Sequence, residues 1–457
     1  MHDRKENIIH IMRKMLKSNW ALVCMIILEN LFLYIFYNSG LLQSGKNAWG
    51  LFITSVAIGI LLVYRFVDKE ILPEQAISVR NFRFDFVLIL YLIAFAALGY
   101  ITHKTLANFP VDPNWSDIIP IVQHQCRQFI HGLSPYAPIN YFGYPEYPNN
   151  LPMKWLPFVP AELLSHDYRM LAFLFLALTG AFLIVRTIKY NNIFERIVIV
   201  LMLCMAYILL LRFSGEALGE SLELLIVVYY MLLVLSLNTS NGWLQGCALT
   251  LCILSRYSLL LWLPLYAYVL WLSGNLKILL RAVLTTIFLC IALTLPFLYN
   301  YINVFVQSFT NYDIVANYEW THHANASGHS THLFSGVGFA YFINTRFTSH
   351  PIAWQIQLLQ QIQFLVLTIM VTGFGIWYFY SKRRIDYRIF LMGSFKIYLA
   401  IFLFLIKIPY VYLMCVGNFV SLAIFAEQLR YRLIHDASEI PSVASEPVNS
   451  ILNNDNS

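Results

Sequence analysis

Charged residues are scarce in this sequence. Asp, Glu, Lys and Arg make up 12% of the 457 residues, whereas a typical soluble domain carries about 25%. Hydrophobic residues make up 59%, and the mean hydropathy is +0.63. The deficit excludes an ordinary soluble protein and indicates a polytopic membrane protein. The membrane is therefore the first expected partner, and we expect no nucleic-acid partner.

Other features are also missing. Only one of the seven cysteines, Cys126, lies in a long polar loop, so no disulfide framework is indicated. The cysteine spacing fits no zinc site, and no internal repeat is visible, which weakens an inverted-repeat transporter. The apolar run from Trp20 to Tyr37 is too long for a signal-peptide core and lacks a small-residue cleavage site. We therefore expect it to stay as an anchor.

Long apolar runs dominate what is present. A membrane-crossing helix needs about 20 apolar residues. The runs predict an all-α polytopic membrane protein with roughly 12 transmembrane helices and two large outward-facing loops. They lie near residues 20–38, 49–64, 86–102, 168–187, 196–212, 221–237, 243–255, 258–272, 281–299, 355–379, 389–406 and 409–426. The runs at 243–255 and 258–272 are short and are split by a polar turn around Arg256.

The distribution of Lys and Arg predicts the orientation. Basic residues cluster before the first run and in alternate loops, which favours cytoplasmic termini and outward loops at 103–167 and 300–354. This topology requires that residues 152–165 do not cross. They are few, contain three prolines, Lys154 and Glu162, and are interpreted as a re-entrant or interface-lying segment. A bacterial inner or cell membrane is the expected location.

The predicted units follow from this topology. They are a cytoplasmic basic N-terminus (1–19), N-terminal transmembrane helices (20–102), a first outer loop with surface helices and the re-entrant segment (103–167), central transmembrane helices (168–299), a second outer loop (300–354), C-terminal transmembrane helices (355–427) and a cytoplasmic tail with a disordered end (428–457).

The first outer loop holds the candidate reactive groups. Asp117 begins an amphipathic helical pattern that Ser116 can cap and that ends near His131-Gly132. Asp117 is either a reactive carboxylate or an acid that only complements the helix dipole. Asp112 precedes a proline; it is either an ordinary turn acid or a second acid that perturbs the first or orients an acceptor.

Several motifs in this loop carry a resemblance to a known family. They are Asp117, the turn Gly132-Leu133-Ser134-Pro135-Tyr136, then Tyr144-Pro145, Tyr147-Pro148 and Pro152. In this order they resemble the first outer loop of C-type (GT-C) glycosyltransferases, most closely the family 87 polyprenyl-phosphate-mannose mannosyltransferases. Two departures are the lack of a Tyr shortly after Asp117 and the Asn149-Asn150 pair where relatives continue with proline.

The resemblance implies a multi-span fold and an active site on the outer face. The donor would be a sugar on a polyprenyl phosphate, with Asp117 as general base and no cofactor or divalent metal. Such a transfer needs a carboxylate to take the acceptor proton and cations to stabilise the departing phosphate. The candidate phosphate-binding cations are Arg256, Lys407, Lys154 and Arg212, each near the outer end of a span or at the interface. The alternative for each is snorkelling to lipid headgroups.

Other polar residues are candidates for sugar binding. Glu216 lies on a short outer turn and either binds sugar hydroxyls or caps the next helix. His322 and His323 begin a histidine-rich part of the second outer loop. This segment is interpreted as a loop that closes over substrate, or alternatively as metal ligands.

The sequence therefore predicts a hexosyltransferase, with mannose as the default sugar. The acceptor would be a glycolipid, a glycan or a protein. The alternatives are a transporter or flippase of a lipid-linked saccharide, a polymerase of such saccharides, and a non-catalytic relative.

Overall fold

The protein is described here by a computed structural model covering residues 18–36, 44–67, 85–113, 116–140, 146–188, 193–213, 218–321, 333 and 338–438. All regular structure in these residues is helical, apart from one isolated antiparallel bridge between Ile139 and Glu146. The predicted all-α class is confirmed.

The described residues form seventeen α-helices. In chain order they are α1 (Asn19–Asn30, continued by a π-helical turn, Leu31–Phe36), α2 (Ser44–Arg65), α3 (Phe86–Leu106), α4 (Ile118–Ile130), α5 (Pro152–Trp155), α6 (Val159–Leu163), α7 (Tyr168–Arg186), α8 (Ile193–Phe213), α9 (Glu223–Leu237), α10 (Gly242–Ile253), α11 (Leu263–Leu272, after a 3-10 turn, Tyr257–Trp262), α12 (Leu276–Leu298), α13 (Ile302–Thr321), α14 (Ala340–Arg346), α15 (Ile352–Ser381), α16 (Tyr387–Phe404) and α17 (Cys415–Ser438, after a 3-10 turn, Val411–Met414).

Nine of the helical segments among the described residues are long and apolar enough to cross a membrane. They are Asn19–Phe36, Asn47–Arg65, Phe86–Leu106, Tyr168–Arg186, Ile193–Arg212, Leu276–Leu298, Ile352–Ser381, Tyr387–Phe404 and Val411–Leu429. The chain is thus an integral membrane protein built from helices. Three shorter apolar helical segments, Glu223–Leu237, Gly242–Ile253 and Tyr257–Leu272, fall where the sequence predicts further crossings. The total of 12 transmembrane helices stays a prediction.

Charged side chains bind the helices together at one end of the bundle. Arg186 at the end of α7 donates two hydrogen bonds to Glu427 of α17, at 2.8 and 3.0 Å. Arg65 at the end of α2 donates to Gln428 at 2.8 Å. Arg196 of α8 pairs with Asp85, which caps α3, at 2.5 Å. We call this the basic end; which compartment it faces stays a prediction.

A buried ion pair joins four helices near their middles. Lys396 of α16 lies 2.6 Å from Glu29 of α1, with side chains 1% and 0% exposed. Ser421 of α17 donates to the second Glu29 oxygen at 2.7 Å, Ser55 of α2 donates to the first, and Lys396 also donates to the Gly417 carbonyl at 2.8 Å. Charges far from water are tolerated when paired and hydrogen-bonded in this way.

Close packing supports the same region. Gly59 of α2 and Gly393 of α16 face each other, and a Cβ built on either would come within 3 Å of the other residue's carbonyl oxygen. Small residues let two membrane helices approach at backbone distance. The crossing lies one turn from Lys396, so it fixes the helix that carries the buried cation.

The predicted second outer loop contains a helix that the sequence did not predict. α13 spans 20 residues, but its polar side chains keep it out of the apolar runs from which the crossings are predicted. It packs against α15 and returns the chain toward the loop that follows α16. We call this end of the bundle, which also carries α4 to α6, the loop end.

Replacing Lys396 by methionine should destabilise the protein by about 3–5 kcal/mol, because Glu29 would remain as a buried charge without its ammonium partner. The double variant Glu29→Gln/Lys396→Met should recover most of that loss. Thermal unfolding of the purified protein in detergent measures both, with Lys277→Met at an exposed position as the matched control. Equal stability of wild type and Lys396→Met would contradict the ionic interpretation.

Candidate functional site at the loop end

The helix that begins after Asp117 has a defined start and end. Asp117 occupies the position before Ile118, and its side chain makes no capping hydrogen bond to the helix. At the other end Gly132 has a φ of 70°, and the N–H groups of Gly132 and Leu133 donate to the carbonyls of Phe129 and Gln128. This left-handed ending favours glycine, so the predicted termination at Gly132 is correct.

Ser116 accepts a long capping hydrogen bond, as predicted, and also has a second partner. Its hydroxyl donates to the Glu220 carbonyl at 2.9 Å, and the Ile118 N–H reaches it only at 3.4 Å. Ser116 therefore ties the start of α4 to the turn before α9. The consequence is that Asp117 is held beside the helices of the central bundle.

The turn after Gly132 is structural. The Tyr136 N–H donates to the Ser134 hydroxyl at 3.2 Å, Pro135 is buried, and the Tyr136 side chain is 0% exposed. The Tyr136 hydroxyl donates to the Asn150 carbonyl at 2.9 Å. Asn150 in turn donates to Gln125 of α4 at 3.1 Å. These bonds fold the loop back onto α4.

The segment that contains α5 and α6 covers two short helices. The Met153 N–H donates to the Leu254 carbonyl just after α10, and the Tyr229 hydroxyl of α9 donates to the Met153 carbonyl, both at 3.0 Å. Cys126 of α4 lies beneath it, 0% exposed, with its thiol 3.3 Å from the Trp155 carbonyl. Burial raises the pKa of that thiol to about 12. Cys126 is therefore a poor labelling site despite its position in a polar loop.

The shortness of α9 and α10 creates a recess. They have 15 and 12 residues, which at ~1.5 Å per residue gives about 22 and 18 Å, less than the ~30 Å hydrocarbon core. Asn238, after α9, donates to Glu427 at the basic end. The opposite ends of both helices therefore stop short of the loop-end surface.

An ion pair occupies this recess. Arg256, after α10, forms an ion pair with Glu223, the first residue of α9. One guanidinium nitrogen donates to a carboxylate oxygen at 2.8 Å, and the other lies 2.7 Å from the second oxygen without hydrogen-bond alignment. The Arg256 and Glu223 side chains are 20% and 6% exposed. The Tyr398 hydroxyl donates to the Ser258 carbonyl at 2.5 Å, which fixes the turn that carries Arg256. A charge-assisted hydrogen bond of this kind is stronger than one between neutral groups.

Lys154 on α5 belongs to the same group of charges. Burial first and then the Arg256 charge lower the pKa of its ammonium, Glu223 and Asp117 oppose that shift, and the resulting pKa is about 8. These influences mean that Lys154 lies close to two acids and one cation. At neutral pH most of the Lys154 side chains are charged.

Glu146 adds a second carboxyl group beside Asp117. Its backbone bridges to Ile139, with N–H to carbonyl distances of 2.8 and 2.9 Å in the two directions. Burial, and after it the Asp117 carboxylate, raise the pKa of the Glu146 carboxyl to about 7. When two carboxyl groups share a partly buried site, repulsion between their charges moves their pKa values apart. One of them can then hold a proton while the other accepts one.

Lys407 lies on the second-loop side of the site. It pairs with Asp313 of α13 at 2.5 Å, and its ammonium is 4.3 Å from the centre of the Tyr312 ring. The Trp320 indole donates to the Lys407 carbonyl at 2.8 Å. The pKa of nearby Tyr410 is raised, chiefly by burial and then by the charges of Glu319, Tyr312 and Asp117. Tyr410 therefore lies within electrostatic range of both Asp117 and Glu319 of α13.

The candidate residues divide into three groups. Asp117, Lys154 and Arg256 are brought together, with Lys407 next to them, and we call Asp117, Glu146, Lys154, Glu223 and Arg256 the loop-end cluster. Asp112 is half-buried and Arg212 is exposed. Neither residue is among the groups that shift the pKa of Lys154 or of Glu146. Glu216, His322 and His323 lie outside the described residues.

Sequence reasoning missed Glu146 and Glu223. Glu223 gives a usable signal, because it is an acid at the start of an otherwise apolar run. Glu146 gives little, since it stands in a polar turn, Tyr144-Pro145-Glu146, with nothing to relate it to Asp117. Within the described residues no three His, Cys, Asp or Glu side chains come together in a way that could hold a metal ion.

No protein-family model, no curated protein and no solved structure matches this chain.

Replacing Asp117 by asparagine should lower the pKa of Glu146, because the neighbouring charge is removed while burial remains. The value should still exceed that of an ordinary glutamate. Infrared titration of the carboxyl band, assigned with Glu146→Gln, measures the shift. Glu162→Gln is the matched control in the same loop, because Glu162 pairs with Arg127 at 2.6 Å. An unchanged pKa in Asp117→Asn would show that the two carboxyl groups do not face each other.

Proposed function

We propose that the protein is a glycosyltransferase of the C-type, which moves a hexose from a polyprenyl-phosphate donor to an acceptor at the loop end. The supporting observation is the loop-end cluster, where Asp117 and Glu223 act on the Lys154 ammonium, Glu223 pairs with Arg256, and Glu146 is influenced by Asp117. The resemblance of the Asp117 to Tyr136 stretch to the family 87 enzymes supplies the donor class and mannose as the default sugar.

The carboxyl groups provide the base that the transfer requires. In an inverting transfer the acceptor hydroxyl attacks the anomeric carbon, the bond from that carbon to the phosphate oxygen breaks, and a carboxylate takes the hydroxyl proton. Asp117 is the proposed base. Glu146, whose pKa is raised to about 7, lies in the same site as Asp117. Ionising Asp117 and Glu146 together is unfavourable unless a cation is near, because the two negative charges repel each other.

The cations provide the counter-charge for the leaving group. A polyprenyl phosphate gains negative charge as the sugar leaves, and fixed cations in a partly dehydrated site stabilise that charge strongly. Lys154 projects from the covering segment, and Arg256 is fixed by Glu223 in the recess. A lipid phosphate that enters from the surrounding leaflet would reach both without leaving the interface. Lys407 forms an ion pair with Asp313 and is a less favoured candidate for binding the phosphate.

One observation favours a different class of function. A transporter of a lipid-linked saccharide is expected to carry essential charges inside its spans, and Glu29 with Lys396 is such a pair. The pair is enclosed by four helices and bonded to Ser55, Ser421 and Gly417, which favours a structural role. A transferase should retain activity in Glu29→Gln/Lys396→Met, whereas a transporter that uses this pair should lose it.

Replacing Asp117 by asparagine should reduce transfer by about 10²- to 10⁴-fold, the usual contribution of a general base. The assay uses the purified protein in vesicles, a polyprenyl-phosphate hexose and membrane acceptors, and it follows release of the polyprenyl phosphate. Glu162→Gln in the same loop should stay within a few-fold of wild type. Undiminished transfer by Asp117→Asn would remove Asp117 from the role of base.

Transfer should fall as the pH rises through about 8, because the Lys154 ammonium, with its pKa lowered to about 8, then loses the charge that attracts the phosphate. The group is charged below that pKa and neutral above it, so the loss is on the alkaline side. In Lys154→Arg the guanidinium stays charged, and this alkaline loss should disappear. The same alkaline limb in Lys154→Arg would show that another group causes it.

A further inference from the structure

A second polar cleft lies at the basic end, away from the loop-end cluster. It has a volume of about 330 Å³ and is lined by the end of α11, the end of α15 and the turn into α16. α16 runs from this cleft to the turn before Lys407, so its length separates the cleft from the loop end. The lining residues are Leu272, Ser273, Tyr378, Lys382, Arg383, Ile385, Asp386 and Tyr387.

The cleft carries uncompensated positive charge. Lys382 and Arg383 are exposed, and neither forms an ion pair with an acid in the described part of the chain. The one acid of the cleft, Asp386, is already engaged by Arg388. It accepts from the Arg388 N–H at 2.8 Å and from the guanidinium at 3.0 and 3.1 Å. The free charges facing the cleft are therefore cationic.

The surroundings match the level of lipid headgroups. Phe379 and Tyr380 at the end of α15 are 47% and 79% exposed, as aromatic residues at a membrane interface often are. The Lys382 ammonium lies 5.2 Å from the centre of the Phe379 ring. Tyr378 and Tyr387 line the cleft with phenolic hydroxyl groups, whereas the Ser273 hydroxyl already donates to the Leu270 carbonyl at 3.0 Å. The volume is near the lower limit of about 300–1,000 Å³ for small-molecule pockets.

We infer that this cleft binds the phosphate of an anionic phospholipid from the leaflet at the basic end, with Lys382 and Arg383 as the charged ligands. Basic pockets between membrane helices bind such headgroups because the cations meet the phosphate where the acyl chains remain in the bilayer. The site is independent of the proposed transfer reaction. Occupation would link the ends of α11, α15 and α16 through one headgroup.

The test measures lipid preference directly. The full chain is purified in detergent, exposed to an equal mixture of phosphatidylglycerol and phosphatidylcholine, and the lipids that stay bound are counted by native mass spectrometry. Wild type should retain phosphatidylglycerol in preference to phosphatidylcholine. Lys382→Gln/Arg383→Gln should reduce that preference by about tenfold or more, since each cation near the surface contributes appreciably.

The control removes the same charge nearby. Lys277 and Arg281 in the first turns of α12 are exposed, belong to the next helix after α11 and do not line the cleft. Lys277→Gln/Arg281→Gln should keep most of the preference. An equal loss in both double variants would overturn the site in favour of general attraction to the membrane surface, and no loss in the cleft variant would also overturn it.

A second arm separates a lipid from a soluble phosphate. Glycerol 3-phosphate is added at millimolar concentration to the wild-type protein with bound phosphatidylglycerol. If the ligand is a lipid, the soluble compound should displace little of it, because it lacks the acyl chains. Complete displacement that depends on Lys382 and Arg383 would overturn the lipid as the ligand.

Discussion

The ion pair between Arg256 and Glu223 is the interaction on which the loop end depends. It joins the ends of α10 and α9, two helices too short to reach the surface as regular helices, and it occupies the recess that they leave. The covering segment is bonded to the same two ends through Met153. Lys154 and Asp117 are consequently held next to a fixed pair of charges, which sets both their position and their electrostatics.

The remainder of the bundle makes that position rigid. Arg186, Arg65 and Arg196 tie five helices together at the basic end, and the Glu29–Lys396 pair joins four helices near their middles. A polar group can act on a reacting bond only if its position is fixed before the reaction. The structure therefore combines an ionically bonded basic end with a recess in which several charged groups lie near one another.

Much of the fold could be predicted from the sequence, and much of the site could not. Apolar runs and the polar turn at Arg256 are local patterns, and Gly132 marks a helix end through its own backbone preference. Glu146 and Glu223 acquire their importance from residues distant in the sequence, Asp117 and Arg256, which no local pattern relates to them. Helix α13 was not predicted because its side chains are too polar to form an apolar run. The burial of Cys126 was not predicted either, since it depends on contacts with Trp155 that composition does not reveal.

The central claim is that the loop-end cluster binds the phosphate of a lipid-linked sugar with the anomeric carbon facing Asp117. The most direct measurement is a structure of the protein in lipid nanodiscs with a non-transferable donor, in which a methylene group replaces the bridging oxygen between sugar and phosphate. The account predicts the phosphonate between Lys154 and Arg256 and the anomeric carbon on the side of Asp117. A donor bound at the basic end, or with its phosphonate away from both cations, would contradict it.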